Sequence, residues 1–115
     1  RQDLGSLLWD LVERIQQVTP PEDRSRPDWA SKIHLAIAPV YYHNYILGEL
    51  MASQVLEYVQ RQVAPDGNIF TREVGRYMTE NIFEPGARWG WNSLLERATG
   101  EGLTARHFLR QFDID

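Results

Sequence analysis

Lys32-Ile-His-Leu-Ala-Ile-Ala-Pro-Val-Tyr-Tyr-His-Asn-Tyr-Ile-Leu-Gly-Glu49 is the stretch on which the reading of this chain turns. Proline at 39 suits the start of a helix better than its interior, so the pattern predicts an extended segment followed by a long helix. In the extended part Lys32 and His34, two apart, leave the same side of the backbone. On the helix Tyr42 and Tyr45, three apart, share one face about a turn apart. The stretch concentrates the only lysine, two of the three histidines and three of the five tyrosines. An ammonium, an imidazole and two phenols brought to one volume suit an anionic ligand that carries a carbonyl group.

Outward from this stretch the chain reads as all-α, with about five helices in a single piece spanning residues 1–115. Asp3 caps a first helix whose Leu4, Leu8, Leu11, Ile15 and Val18 recur at spacings of four and three, ending before Pro20-Pro21. A polar link, Glu22 to Pro27, follows. The second helix begins just after Pro39 and runs toward Val63, with Ile46, Leu50, Val55 and Val59 among its apolar positions. Ala64-Pro65-Asp66-Gly67-Asn68 ends it. The third starts near Thr71, has Glu73 in its first turn and carries Val74, Tyr77, Met78 and Ile82 on one face. Glu84-Pro85-Gly86 breaks it. Two short helices close the chain, one through Trp91, Leu94 and Leu95 to Thr99-Gly100, the other from Thr104 through Phe108 and Leu109.

Composition excludes several classes. Twelve basic against 16 acidic residues give a net charge of −4 without a basic stripe, which argues against nucleic acid. There is no cysteine, hence no disulfide and no thiolate metal ligand. No segment has the apolar length of a membrane span, and Arg1-Gln2-Asp3 is not a signal-peptide start. A first residue other than methionine leads us to expect a processed or cut chain. No targeting segment is present in this chain, and the sequence leaves the compartment open with a slight lean to the extracytoplasmic side.

No stand-alone catalytic motif is present. A zinc peptidase helix shows His-Glu-x-x-His, and His34, His43 and His107 lack that spacing. Serine-nucleophile elbows, phosphate-cradling glycine loops and calcium loops are also missing. Taken singly, the tyrosines read as core aromatics, Lys32 as a solvated lysine, and His34, His43 and His107 as satisfied core or loop histidines. Trp9, Trp29, Trp89 and Trp91 read as packing a core or a seam, and Glu49 as structural.

Together, the residues resemble the C-terminal part of zinc metallopeptidases of the peptidyl-dipeptidase A (angiotensin-converting enzyme) family. The likeness rests on Lys-x-His followed by Tyr-x-x-Tyr at the start of a long helix. It extends upstream through Gln16, Gln17, Pro20-Pro21 and Asp28, and downstream through Ile69 to Gly75, Phe83-Glu84-Pro85-Gly86 and Ala98-Thr99-Gly100. Tyr42, Tyr45 and Glu49 give a more distant likeness to thimet oligopeptidase and oligopeptidase F.

In such enzymes a zinc ion and its activated water attack the scissile carbonyl, while this part of the chain grips the substrate. The resemblance implies that Tyr45 donates to the oxyanion and that His34 hydrogen-bonds the substrate backbone. It also implies that Lys32 and Tyr42 hold the C-terminal carboxylate of a peptide, so that a dipeptide is released. The chain carries one residue more than the family pattern between His34 and Tyr42, so Tyr41 and Tyr42 both stay candidates for that role. Asn44 stands where animal members carry a chloride-binding arginine, and a neutral amide is a poor anion anchor. The resemblance places the zinc ligands and catalytic glutamate outside this chain. The expected partners are then a peptide with a free C-terminus and the N-terminal remainder of the peptidase. Alone, the chain is expected to be inactive and to self-associate through its exposed seam. Two other readings stand beside this one: a stand-alone helical module that binds a partner helix or a small carboxylate, and a peptidase relative that has lost its zinc site.

Overall fold

The computed structural model describes residues 3–22, 26–38 and 40–112, and among them the chain is helical without a strand. The all-α expectation is therefore met. The chain divides into two compact units, Arg1–Asn44 and Tyr45–Asp115.

The first unit is built from short elements. Helix α1, Leu4–Leu11, starts at Asp3, whose carboxylate accepts from the amides of Gly5 (3.2 Å) and Ser6 (3.3 Å). It runs on through a π-helical turn, Val12–Gln16, and stops where Gln17 turns left-handed, ahead of the two prolines. A 3₁₀ turn, Asp28–Ser31, packs against α1 and leads into the single turn of α2, Ile33–Ala36. None of these four elements contains a buried residue, so the apolar stripe of α1 is left largely open, with Leu4, Leu11 and Ile15 exposed. The polar link expected from Glu22 to Pro27 lies partly outside the described residues, as does Pro39.

The second unit holds the core. Helix α3, Asn44–Tyr58, continues as a π-helical turn, Val59–Val63, closed by the Ala64 amide on the Val59 carbonyl at 2.8 Å. It starts four residues later than the sequence leads one to expect, because residues 40–43 form a turn segment rather than helix. Gly67 takes the left-handed backbone that the Pro-Asp-Gly turn demands. Thr71 caps α4, Arg72–Met78, by accepting from the Val74 amide, and a second π-helical turn, Thr79–Phe83, ends at Glu84-Pro85. Helix α5, Trp91–Thr99, terminates on left-handed Gly100, and α6, Arg106–Arg110, closes the unit. Val59, Ala64 and Val74 form the buried cluster, with Val55, Val63, Ile69, Tyr77 and Met78 packed on it, and Leu95 and Ala98 bury the inner face of α5.

Two polar groups fasten the last third of this unit to α3. The Gln54 side chain is 1% exposed. Its Nε2 donates to the Thr99 hydroxyl (3.0 Å) and to the carbonyls of Glu101 (3.0 Å) and Gly102 (3.2 Å), and its Oε1 accepts from the Thr104 amide (3.1 Å). His107, 8% exposed, meets Glu57 through Nδ1 and Glu101 through Nε2, each at 2.7 Å. Only the doubly protonated ring donates to both. Arg61 and Arg110 also bind Glu57, and Arg106 binds both oxygens of Glu101. Burial pushes the Glu57 carboxyl up, but the hydrogen bond and charge of His107, with Arg61 and Arg110, outweigh it and leave it below its ordinary 4.5. Hydrogen bonds from His107 and then Arg106 lower Glu101 in the same way. Tyr77 donates to the Ala98 carbonyl at 2.6 Å and stacks on Tyr58. Its burial, helped by Tyr58, raises its phenol from 10.0 to about 12.

Replacing Gln54 by leucine leaves the part-buried Gly102 carbonyl and Thr104 amide without the partner it supplies, while the Glu101 carbonyl keeps the Thr99 hydroxyl, at about 1–3 kcal/mol for each group that water cannot reach. We expect Gln54→Leu to lower unfolding stability by about 3 kcal/mol. A urea midpoint that hardly moves would show that the amide does not fasten the loop. A folded phenol raised above its unfolded value stabilises fully below the unfolded value, and that contribution is lost as pH climbs through the folded one. Stability therefore falls between pH 10.0 and about 12, and Tyr77→Phe removes that fall. The lowered carboxylates have the opposite sign: their contribution is present above 4.5 and lost as pH drops through their folded values. Urea midpoints across pH check both limbs, and an alkaline limb that survives in Tyr77→Phe would assign it elsewhere.

Candidate functional site

The residues singled out between 32 and 45 fall in turns and helix starts rather than in an extended strand followed by helix. Lys32 itself is extended (φ −94°, ψ 109°), and its carbonyl accepts from the Leu35 and Ala36 amides, so it opens α2 instead of continuing a strand. His34 sits on that single helical turn, half-buried. The expectation that Lys32 and His34 leave the same side of an extended backbone is thus corrected. The backbone amide and carbonyl groups after Lys32 are close enough in sequence to satisfy one another locally, and they do so as a helical turn.

Val40, 86% exposed, has φ 59°, a left-handed backbone that costs a β-branched residue about 1–2 kcal/mol. This turn reverses the chain toward α2. Tyr41 and Tyr42 follow it and lie nearly parallel to the His34 ring, with centroids at 5.9 Å and 5.2 Å and interplanar angles of 13° and 20°. Three of the five candidates, His34, Tyr41 and Tyr42, are therefore brought into one cluster. Tyr42 precedes α3, which begins at Asn44, so Tyr42 and Tyr45 do not share one helix face as expected. Tyr45 stands in the first turn of α3, 55% exposed, and belongs to the other unit. Lys32 is exposed, and among the described residues no carboxylate pairs with it. Tyr41, Tyr42 and Tyr45 are 48%, 54% and 55% exposed, comparable with the neighbouring apolar side chains of Ile33 and Ile46.

This cluster presents neutral phenols and an imidazole beside a cation-bearing turn, a set that can donate hydrogen bonds to carbonyl and carboxylate oxygens. It is not a metal centre. Among the described residues no group of three His, Cys, Asp or Glu side chains could hold a metal ion. Both nitrogens of His107 are already taken by carboxylates, and His34 is stacked on phenols. The residues present therefore do not fit a zinc site. No helix among the described residues is long and apolar enough to cross a membrane.

His107 is a satisfied histidine, as the sequence leads one to expect, and its partners are two carboxylates. Glu57 and Arg61, spaced i and i+4, were the local signal. The pairing with residues fifty apart had none.

No curated protein and no solved structure matches the chain. A family model does, that of the carboxypeptidase Taq (M32) metallopeptidases, over residues 34–114. The match supports a zinc metallopeptidase in general and not peptidyl-dipeptidase A in particular. It takes in His34, Tyr41, Tyr42 and Tyr45 and every helix from α3 to α6, leaving out Lys32 and the elements before it. With most of its length matched, this chain belongs to the carboxypeptidase Taq (M32) metallopeptidase family.

Proposed function

We propose that the chain is the C-terminal portion of a metallopeptidase of the carboxypeptidase type and supplies the groups that hold a peptide's end and its reacting carbonyl. The observation that carries this reading is the family match over residues 34–114, which takes in His34 and the three tyrosines. Tyr45 is the oxyanion donor in this reading. A phenol stays protonated at working pH and gives its hydrogen bond to an oxygen that gains charge only in the transition state. His34, held beside Tyr41 and Tyr42, hydrogen-bonds the substrate backbone. Lys32, with Tyr41 or Tyr42, takes the substrate carboxylate as a charge-assisted contact. How far that anchor lies from the oxyanion donor sets the product: a single residue for a carboxypeptidase, two for a dipeptidyl carboxypeptidase.

The metal is zinc in this proposal, bound by residues of the N-terminal remainder, where it activates water for attack on the peptide. That remainder also covers the apolar side chains left open here, among them Leu11, Ile15, Ile33, Ile37 and Ile46. Without it, those side chains drive self-association of the isolated chain.

In the full-length parent enzyme, Tyr45→Phe should lower kcat by about 10²–10³ with KM little changed, and Lys32→Met should raise KM about tenfold. A peptide with a free C-terminus should be cleaved in strong preference to its C-terminal amide, and mass spectrometry of the products separates loss of one residue from loss of two. Equal cleavage of acid and amide, or a Tyr45→Phe enzyme with unchanged kcat, would remove the assigned roles. Sedimentation of the isolated chain should show mass growing with concentration. A monomer at every concentration would mean that the open apolar faces are not a seam.

A further inference from the structure

The π-helical turn that ends α4 borders a cavity of about 350 Å³. Glu80 and Asn81 line it from that turn, Pro85 from the break that follows, Trp89 from the approach to α5, and Arg97 from α5 itself. The Arg97 guanidinium lies 4.2 Å from the centroid of the Trp89 ring, and that of Arg88 lies 5.8 Å from the same centroid. A guanidinium stacked on an indole keeps its in-plane N–H donors open for a carboxylate.

No carboxylate among the described residues takes them. Among the described residues neither arginine has an ion-pair partner, and neither does Glu80. A carboxylate and a guanidinium thus face one cavity without closing on each other. Asn81 donates from Nδ2 to the Tyr77 carbonyl at 3.0 Å, which fixes its amide and leaves Oδ1 as an acceptor. The remaining lining is a proline ring and the part of the Trp89 indole that the guanidinium leaves uncovered, both apolar.

Such a lining selects by charge. A simple oxyanion would meet Arg97 but be repelled by Glu80, and a simple cation would meet the converse. A ligand that carries both charges a short distance apart satisfies both, and the volume is at the small end for ligand sites. We propose that this cavity binds a free, apolar α-amino acid. Its carboxylate lies on Arg97, its ammonium on Glu80 and Asn81 Oδ1, and its side chain against Pro85 and the uncovered part of the Trp89 ring. Binding follows from these residues alone. That a carboxypeptidase releases this class of molecule, so that the site would sense product, rests in addition on the function proposed above.

The test is binding to the full chain, labelled with nitrogen-15 and titrated with L-leucine, N-acetyl-L-leucine and L-leucinamide while the Trp89 indole N–H is followed. L-leucine should shift that signal saturably, and each blocked derivative should bind about tenfold more weakly. Arg97→Gln should weaken L-leucine about tenfold yet leave L-leucinamide unchanged, and Glu80→Gln should do the same for L-leucine and N-acetyl-L-leucine. Both side chains are exposed, so the amide spectrum of each variant should otherwise match the parent. A signal that never saturates overturns the proposal, as does equal binding of all three ligands or affinity indifferent to both substitutions. None of these readouts involves peptide cleavage, so the proposal can fail while the peptidase assignment stands, and the reverse.

Discussion

A single buried carboxamide determines how the second unit closes. Gln54 sits in the middle of α3, yet its partners are the hydroxyl of Thr99 and the backbone of residues 101, 102 and 104, all in the loop between α5 and α6. That loop has no strand or helix of its own to satisfy its carbonyls. Burying it against an apolar helix face would leave them unpaired, so a long side chain with both donors and an acceptor is needed at that point. The arrangement also fixes which end of the amide is which, since three acceptors surround one atom and an N–H faces the other. Once the loop is held, His107 is placed to reach Glu57 on α3 and Glu101 in the loop, and the arginines complete the network.

The polar interior explains why parts of the fold were legible in the sequence and parts were not. Local signals were reliable: Asp3 and Thr71 cap where expected, Pro-Asp-Gly and Gly100 end helices by left-handed glycines, and Val74 faces inward on α4. The inward face of α3 and its π-helical continuation is legible only in part: Val55 and Val59 pack in the core as expected, but the most buried positions of α3 are Ser53 and Gln54, and Ile46 is 64% exposed. A hydrophobic period finds faces that pack on side chains, not faces that pack on backbone. The same limit hid the partners of His107, which come from residues 50 and 6 positions away.

The candidate site shows a second kind of limit. Of the residues the sequence singles out, His34, Tyr41 and Tyr42 meet, while Tyr45 belongs to the other unit, and the spacing misnames the geometry. Two-residue and three-residue spacings were read as strand and helix faces, whereas the chain uses a single helical turn and then a left-handed Val40. Ring stacking of this kind depends on a reversal of the backbone, and a β-branched residue gives no sequence sign that it will supply one. An exposed residue in a costly conformation gains nothing from packing, so the strain is retained by what surrounds the turn, where two tyrosines are laid against a histidine.

Exposure on the first unit has a physical meaning of its own. Burial of apolar side chains drives folding, and here α1, its π-helical extension, the 3₁₀ turn and α2 bury none completely. The second unit, by contrast, closes around Val59, Ala64, Val74, Leu95 and Ala98. A metallopeptidase needs a metal-ligand set that the described residues do not contain. Two deficits, one of covered apolar surface and one of metal ligands, are met together if a further helical portion of the enzyme packs on the first unit and brings the ligands with it. The groups proposed to grip substrate on this unit, Lys32, His34, Tyr41 and Tyr42, then become a site only when that portion is in place, which ties the chemistry to the completion of the core.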